Sequence, residues 1–241
     1  MEVIIIKNHV KILIVKLVLF IELIIYCAFI YIDYTNNFKT VYSSVLKYFG
    51  ILLCLFLSIL IGSNGHDKMD TIFLRLAIFL TALADLCMII LGLNELGIMI
   101  FCLVQITYII RHRRAVERRY NLNFLVVTII FIILIVISLA NNLLIEDLGY
   151  EGIKKVTLII GFIYAVILLY SVYTGWKTLK GAFYPMYSRY LVVIGMTLFL
   201  LCDINVALSV ILKDLSILIW IFYLPSQILL VLSGYNRKTL K

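Results

Sequence analysis

Long apolar runs alternate with short polar breaks along the whole chain, and their spacing reads as a series of membrane-crossing helices. A bilayer's hydrocarbon core takes about 20 helical residues to cross. On that length eight spans are predicted, at approximately 11–32, 42–62, 71–91, 95–110, 122–142, 156–176, 187–211 and 216–234. The breaks between them read DYTNNFKT, SNGHDKMD, GLNE, RHRRAVERRYN, EDLGYEGIKK, KTLKGAFYPMYS and KD. The expected fold is all-α: a polytopic membrane helix bundle forming a single integral membrane domain over residues 1–241. The first apolar run follows lysines, as a signal peptide would. It is long enough to span and carries no small-residue cleavage pattern, so it is expected to remain as the first helix.

Composition and charge sharpen this picture. The chain is 64% hydrophobic and 14% charged, where a soluble domain is about half apolar and about a quarter charged. A net charge of +8 would suit nucleic acid, but the positive residues fall between apolar segments, so no nucleic-acid partner is expected. An even number of spans puts both termini on one side. With the N-terminus inside, sixteen of the 21 Lys and Arg residues fall on inner segments, Arg111 among them, and five, including Lys47, fall outside. The positive-inside rule then makes both termini cytoplasmic in a multi-pass protein of the cell membrane. RHRRAVERR becomes a topology anchor, with lipid-headgroup contact as its alternative role. The five cysteines lie in apolar runs without disulfide or Cys-x-x-Cys spacing and read as buried small side chains.

Two carboxylates break the apolar pattern. Asp85 lies in TIFLRLAIFLTALADLCMIIL and Asp203 in RYLVVIGMTLFLLCDINVALSVIL. A charge in mid-bilayer costs several kcal/mol, so an intramembrane carboxylate is a functional candidate by default. The two also hold similar positions in similar helix pairs. Spans three and four open with Arg75, then carry Asp85 and Gln105; spans seven and eight open with Arg189, then carry Asp203 and Gln227. The pairs are four spans apart and so share one orientation, a weak parallel repeat. Helical spacing gathers Gly97, Phe101, Gln105 and Tyr108 on one stripe, Trp220, Tyr223, Gln227 and Leu230 on another, and Ala77, Thr81 and Met88 around Asp85. Asn205 falls on a different face from Asp203, and Asn141, Asn142 and Tyr164 are further polar candidates. Glu22 in the first span has no counterpart in the repeat and ranks below the pair. Gln and Tyr residues inside membranes also act as interhelical glue, and that role stays open for Gln105, Tyr223 and Gln227.

Several chemistries fall away. His9, His66 and His112 are expected in connections or at helix ends, away from the aspartates, so no metal site is predicted. Neither a Gly-x-Ser-x-Gly elbow nor a P-loop is present. What remains is carboxylate acid–base chemistry, with no cofactor.

The same residues resemble the YhhN-type family of membrane proteins, whose characterised members are lysoplasmalogenases. Its first signature block corresponds here to Ala84-Asp85, Gly97, Phe101, Gln105 and Tyr108, and its second to Gly195, Phe199, Cys202-Asp203, Tyr223 and Gln227. Tyr164 corresponds to a tyrosine in the preceding helix, and the resemblance covers roughly residues 40 to 234. This chain has Gln105 where the family usually has histidine, Cys202 for serine, Ala84 for glycine, and Lys47-Tyr48 nearest to a usual Lys-Pro. The resemblance implies hydrolysis of the vinyl ether of a lysoplasmalogen-like lysophospholipid, with Asp85 and Asp203 catalytic and Gln105, Tyr108, Tyr164, Tyr223 and Gln227 lining the substrate site. One Asp would act as a neutral acid and the other as a carboxylate, in an order that is not assigned. The alternatives are a proton- or cation-coupled transporter with the pair at a repeat interface, and a non-catalytic membrane scaffold.

Overall fold

The computed structural model describes residues 2–36, 40–117, 155–209 and 216–236, and among them it contains helices and turns but no strand. Seven long helices are described: α1 (Glu2–Asn36), α2 (Val41–Leu60), α3 (Lys68–Asp85), α4 (Asn94–Glu117), α5 (Lys155–Lys177), α6 (Met186–Ser209) and α7 (Ser216–Leu232). Six are long and apolar enough to cross a bilayer, and α7, at 17 residues, is apolar but shorter. The protein is thus a helical bundle of the multi-pass membrane type. The predicted fifth span, 122–142, lies outside the described residues, and Asn141 and Asn142 with it.

Each helix packs on the next in chain order, and α7 returns to touch α2 and α1. The helices gather their polar groups at two ends. One, here the carboxyl end, holds the close of α1, α3 and α6 and the start of α2, α4 and α7. Thr157 on α5 donates to Glu95 on α4 at 3.0 Å, which brings the start of α5 there too. The opposite, basic end holds the α2–α3 and α5–α6 turns.

Local sequence explains the breaks in regularity. Immediately after Asp85 the third helix widens into a π-helical turn, Leu86–Ile90, and Gly92 then reverses the chain at φ 69°. Such turns recur at functional positions. Pro225 sits inside α7 and lacks an N–H, which frees the carbonyl one turn earlier. That carbonyl, of Ile221, accepts a 3.2 Å hydrogen bond from Tyr26 on α1. In lipid a backbone group must find a protein partner, and the proline's lost bond has become a tie between the first and last helices.

The arginines that open the two repeat pairs do similar work. Arg75 donates to the carbonyls of Ser58 and Ile59, and Arg189 to those of Leu179 and Tyr184. The Ser58, Ile59 and Leu179 carbonyls lie at or just after the end of the preceding helix, where intrahelical N–H groups run out, and the Tyr184 carbonyl lies in the turn just before α6.

Two connections differ from expectation. Span four, expected over 95–110, continues as helix to Glu117, so Arg111 and His112 of RHRRAVERRYN are not loop residues. Arg111 is 1% exposed and His112 is fully buried. The charge is tolerated because Arg111 makes a two-pronged ion pair with Asp70, at 2.9 and 3.1 Å. Lys47, counted among the outer-loop charges, is likewise buried, 2.6 Å from Asp33. The cysteines divide: Cys54, Cys87, Cys102 and Cys202 are buried, but Cys27 faces outward.

Candidate functional site

Asp85 is held at the end of α3, 4% exposed, by the last helix: the Tyr223 hydroxyl donates to Asp85 Oδ2 at 2.7 Å. Asp203 is held on α6 by α5, where the Tyr164 hydroxyl donates to Asp203 Oδ2 at 2.5 Å. Asp203 is only partly buried. Each carboxyl group therefore has its own tyrosine, contributed by a different helix.

An aromatic cluster joins the two halves. The Phe101 ring lies 6.3 Å from that of Tyr164, 6.4 Å from that of Tyr223 and 6.2 Å from that of Phe199. Phe199 in turn meets Tyr223 edge-on at 5.8 Å. The two carboxyl groups are near enough for the charge of one to act on the other. Two glycines bring these helices close. A Cβ at Gly97 would lie 2.1 Å from Met88 Cγ and 3.2 Å from the Ala84 carbonyl oxygen. At Gly195 it would lie 2.9 Å from Leu230 Cγ and 3.3 Å from the Ser226 carbonyl oxygen.

The remaining predicted residues divide by their partners. Gln105 is fully buried with its side-chain amide beside the Tyr164 hydroxyl, although neither amide atom reaches full hydrogen-bond geometry with any partner among the described residues. Gln227 gives its nitrogen to Ser226 at 3.3 Å, and its oxygen has no partner among the described residues. Tyr108 lies one turn beyond Gln105, stacked on His112 at 5.7 Å, and its hydroxyl has no partner among the described residues. Thr81 is spent on its own helix, donating to Ala77, and Asn205 similarly donates to Leu201. Buried polar atoms usually have partners, so the unsatisfied amide atoms of Gln105 and Gln227 set this layer apart from the apolar packing around it.

The chain matches the family model of the YhhN family over residues 42–234. The chain belongs to the YhhN family. No curated protein and no solved structure matches it. The YhhN match takes in both aspartates and both tyrosines that hold them, and begins after α1.

This YhhN chain adds a third carboxyl group from outside the matched region. Glu22 on α1 is fully buried. It accepts a 3.4 Å contact from the Cys54 thiol, and its second oxygen has no partner among the described residues. Cys54 also lies within electrostatic reach of Asp85. The spacing of the repeat gave no hint of this, because the repeat covers spans three, four, seven and eight and Glu22 lies outside it.

The basic end carries a second network that sequence reasoning missed. Arg111 bridges Asp70 and the Ser233 hydroxyl, and the Tyr184 hydroxyl also donates to Asp70. Asp67 caps α3 by accepting from the Asp70 amide at 2.6 Å and pairs with Arg114 at 2.8 and 2.5 Å. His66 donates from Nε2 to the Ser233 carbonyl at 2.9 Å. The Arg114 hydrogen bonds hold the Asp67 carboxyl below its ordinary range. Burial pushes the His66 ring down and the Tyr184 hydroxyl well up. These groups lock the α2–α3 turn, α4, the α5–α6 turn and the close of α7 together. No local sequence signal marks this network, because Arg111 and Asp70 are 41 residues apart.

Proposed function

We propose that this protein hydrolyses the vinyl ether of a lysoplasmalogen-like lysophospholipid, releasing a fatty aldehyde and a glycerophospho-alcohol. The observation that carries the reading is the pair of carboxyl groups, Asp85 and Asp203, each oriented by its own tyrosine beside one aromatic cluster within an apolar bundle. Family membership supports it, through the activity that the resemblance implies.

The chemistry needs two carboxyl groups in opposite protonation states. The acid delivers its proton to the alkenyl carbon remote from the ether oxygen, which leaves an oxocarbenium ion. The other carboxylate stabilises that cation and takes a proton from the attacking water, giving a hemiacetal. Collapse of the hemiacetal returns one proton to the departing glycerol oxygen and one to the carboxyl pair. The net reaction consumes one water, and both carboxyl groups end as they began. Paired carboxylates handle a similar cation in glycoside cleavage. Tyr164 and Tyr223 orient the carboxyl groups, Gln105 and Gln227 offer hydrogen bonds to water or the ether oxygen, and Tyr108 lies at the deeper end. The reading includes one integral domain in the cell membrane, eight spans and cytoplasmic termini.

A second reading draws on the interruptions of α3 and α7 beside polar residues, the π-turn after Asp85 and Pro225 after Tyr223. Broken helices at polar sites are a feature of transporters, and here the pair would carry a proton. Purified protein supplied with lysoplasmalogen decides between them. Aldehyde release is expected; proton-coupled flux in proteoliposomes without lipid turnover would establish the transporter instead.

A further inference from the structure

Lys47 and Asp33 form an ion pair inside the carboxyl end of the bundle, 2.6 Å apart, with Lys47 7% exposed and Asp33 fully buried. The Ser43 hydroxyl donates to the other Asp33 oxygen at 2.5 Å. The Lys47 ammonium also lies 4.9 Å from the centre of the Trp220 ring and 5.9 Å from that of Phe29. Desolvating two such ions costs several kcal/mol each, and apolar side chains of similar volume would join α1 to α2 at least as well. An ion pair inside a membrane bundle is a functional candidate by default. This one differs from Arg111–Asp70 in having two aromatic rings, Trp220 and Phe29, around its cation on the side of the proposed reacting carboxyl groups.

Its position says which ligand. Trp220 meets Tyr223 edge-on at 5.3 Å, and Tyr223 holds Asp85. One ring contact and one hydrogen bond thus connect the surroundings of Lys47 to the proposed reacting carboxyl group. In a lysophospholipid the headgroup follows the ether bond by only the glycerol backbone, so a substrate with its ether at Asp85 brings its headgroup toward this pair.

We infer that Lys47, Asp33, Trp220 and Phe29 bind the zwitterionic headgroup of the substrate. The phosphate replaces Asp33 as partner of Lys47. The headgroup ammonium replaces Lys47 as partner of Asp33 and lies over the Trp220 ring, where a cation is favoured. Charge balances on both sides of this exchange: one internal ion pair becomes two pairs with the ligand. An anionic headgroup satisfies Lys47 and leaves Asp33 unpaired; a headgroup without charge satisfies neither. Phe29 and Asp33 precede the region the family model matches, so this half of the site belongs to the chain's own first helix. The inference rests on the hydrolase reading for its substrate class.

The test is binding of uncleavable lipids to the full chain in an uncharged maltoside detergent. Trp220 fluorescence reports occupancy, with the other tryptophan removed as Trp176→Phe. The probes are a 1-O-alkyl lysophosphocholine, the matching lysophosphoglycerol and a 1-O-alkylglycerol. The phosphocholine lipid is expected to shift Trp220 emission and to bind at least tenfold tighter than either other lipid. Lys47→Gln is expected to remove that preference, so that the phosphocholine lipid and the 1-O-alkylglycerol bind the variant with similar affinity. If Lys47→Gln does not fold, the charge swap Lys47→Asp with Asp33→Lys retains an internal pair and is expected to lose the preference as well. Equal affinity for all three lipids, or a preference that survives both variants, overturns the site. Aldehyde release from a 1-alkenylglycerol, which has no headgroup, reads the hydrolase separately. Headgroup preference without aldehyde from any alkenyl lipid keeps the site and rejects the hydrolase; aldehyde without preference does the reverse.

Discussion

Tyr223 on the last helix donates a 2.7 Å hydrogen bond to Asp85 on the third, across 138 residues of chain. Tyr164 makes the equivalent bond to Asp203 at 2.5 Å. Hydrogen bonds to charged groups contribute about 1.5–3 kcal/mol, and about 1.4 kcal/mol is tenfold in rate. Tyr223→Phe and Tyr164→Phe are each expected to slow aldehyde release by roughly 10- to 100-fold, measured at a temperature where the variant is fully folded. Steady-state rates on purified variants check this; full activity in either variant would remove the orienting role.

Gly97 and Gly195 set the spacing of the helices that carry the aspartates. At Gly195 an added methyl group meets buried Leu230 at 2.9 Å and a backbone oxygen at 3.3 Å. Overpacking of this kind costs about 1–3 kcal/mol. Gly195→Ala is therefore expected to lower the melting temperature in detergent. Gly97→Ala is expected to act less strongly, because Met88 is a flexible neighbour able to move, although the Ala84 carbonyl at 3.2 Å limits the relief.

Arg111 and Asp70 depend on each other. Removing one member of a buried ion pair costs about 3–5 kcal/mol, because the other is left charged and unpaired. Arg111→Gln alone is expected to reduce the yield of folded protein sharply. The double variant Arg111→Gln with Asp70→Asn is expected to recover much of it. Size-exclusion profiles of the two variants beside the unaltered chain give the answer, and a double variant as poor as the single would refute pairing as the cause.

The basic-end network gives stability a definite pH dependence. His66 faces the Ser233 carbonyl, the Phe183 and Tyr184 rings, Asp70, Asp67 and Arg111. Its pKa is lowered from 6.5 on folding, so the unfolded chain binds the proton more readily and stability falls as the pH drops below 6.5. Asp67 is lowered from 3.8, so its contribution is present above that value and is lost as acidification continues through the folded pKa. Both terms have the same sign. Thermal melts between pH 8 and pH 4 are expected to show a loss beginning below pH 6.5, and His66→Gln is expected to abolish that first phase.

Much of the bundle was legible because lipid enforces a simple pattern: apolar runs of spanning length separated by polar turns. Asp85, Asp203, Tyr164 and Tyr223 stood out for the same reason, as polar groups where polar groups are costly. The residues that escaped are those whose cost is cancelled by a partner distant in the chain. Arg111 looked like a loop cation because nothing near it in sequence announces Asp70, 41 residues away. Lys47 was counted with the outer charges because Asp33 lies on another helix. The π-turn after Asp85 and the use of the Ile221 carbonyl by Tyr26 arise from packing, which has no local sequence period.

The central claim is that Asp85 and Asp203 together protonate and hydrolyse a vinyl ether. Hydrolysis of an alkenyl lysophospholipid in D₂O tests it most directly, with the released aldehyde analysed by mass spectrometry. The account predicts an aldehyde carrying deuterium on the carbon next to the carbonyl, and a rate that falls about 10²–10⁴-fold in both Asp85→Asn and Asp203→Asn. Aldehyde free of deuterium, or undiminished release from the two variants, would contradict it.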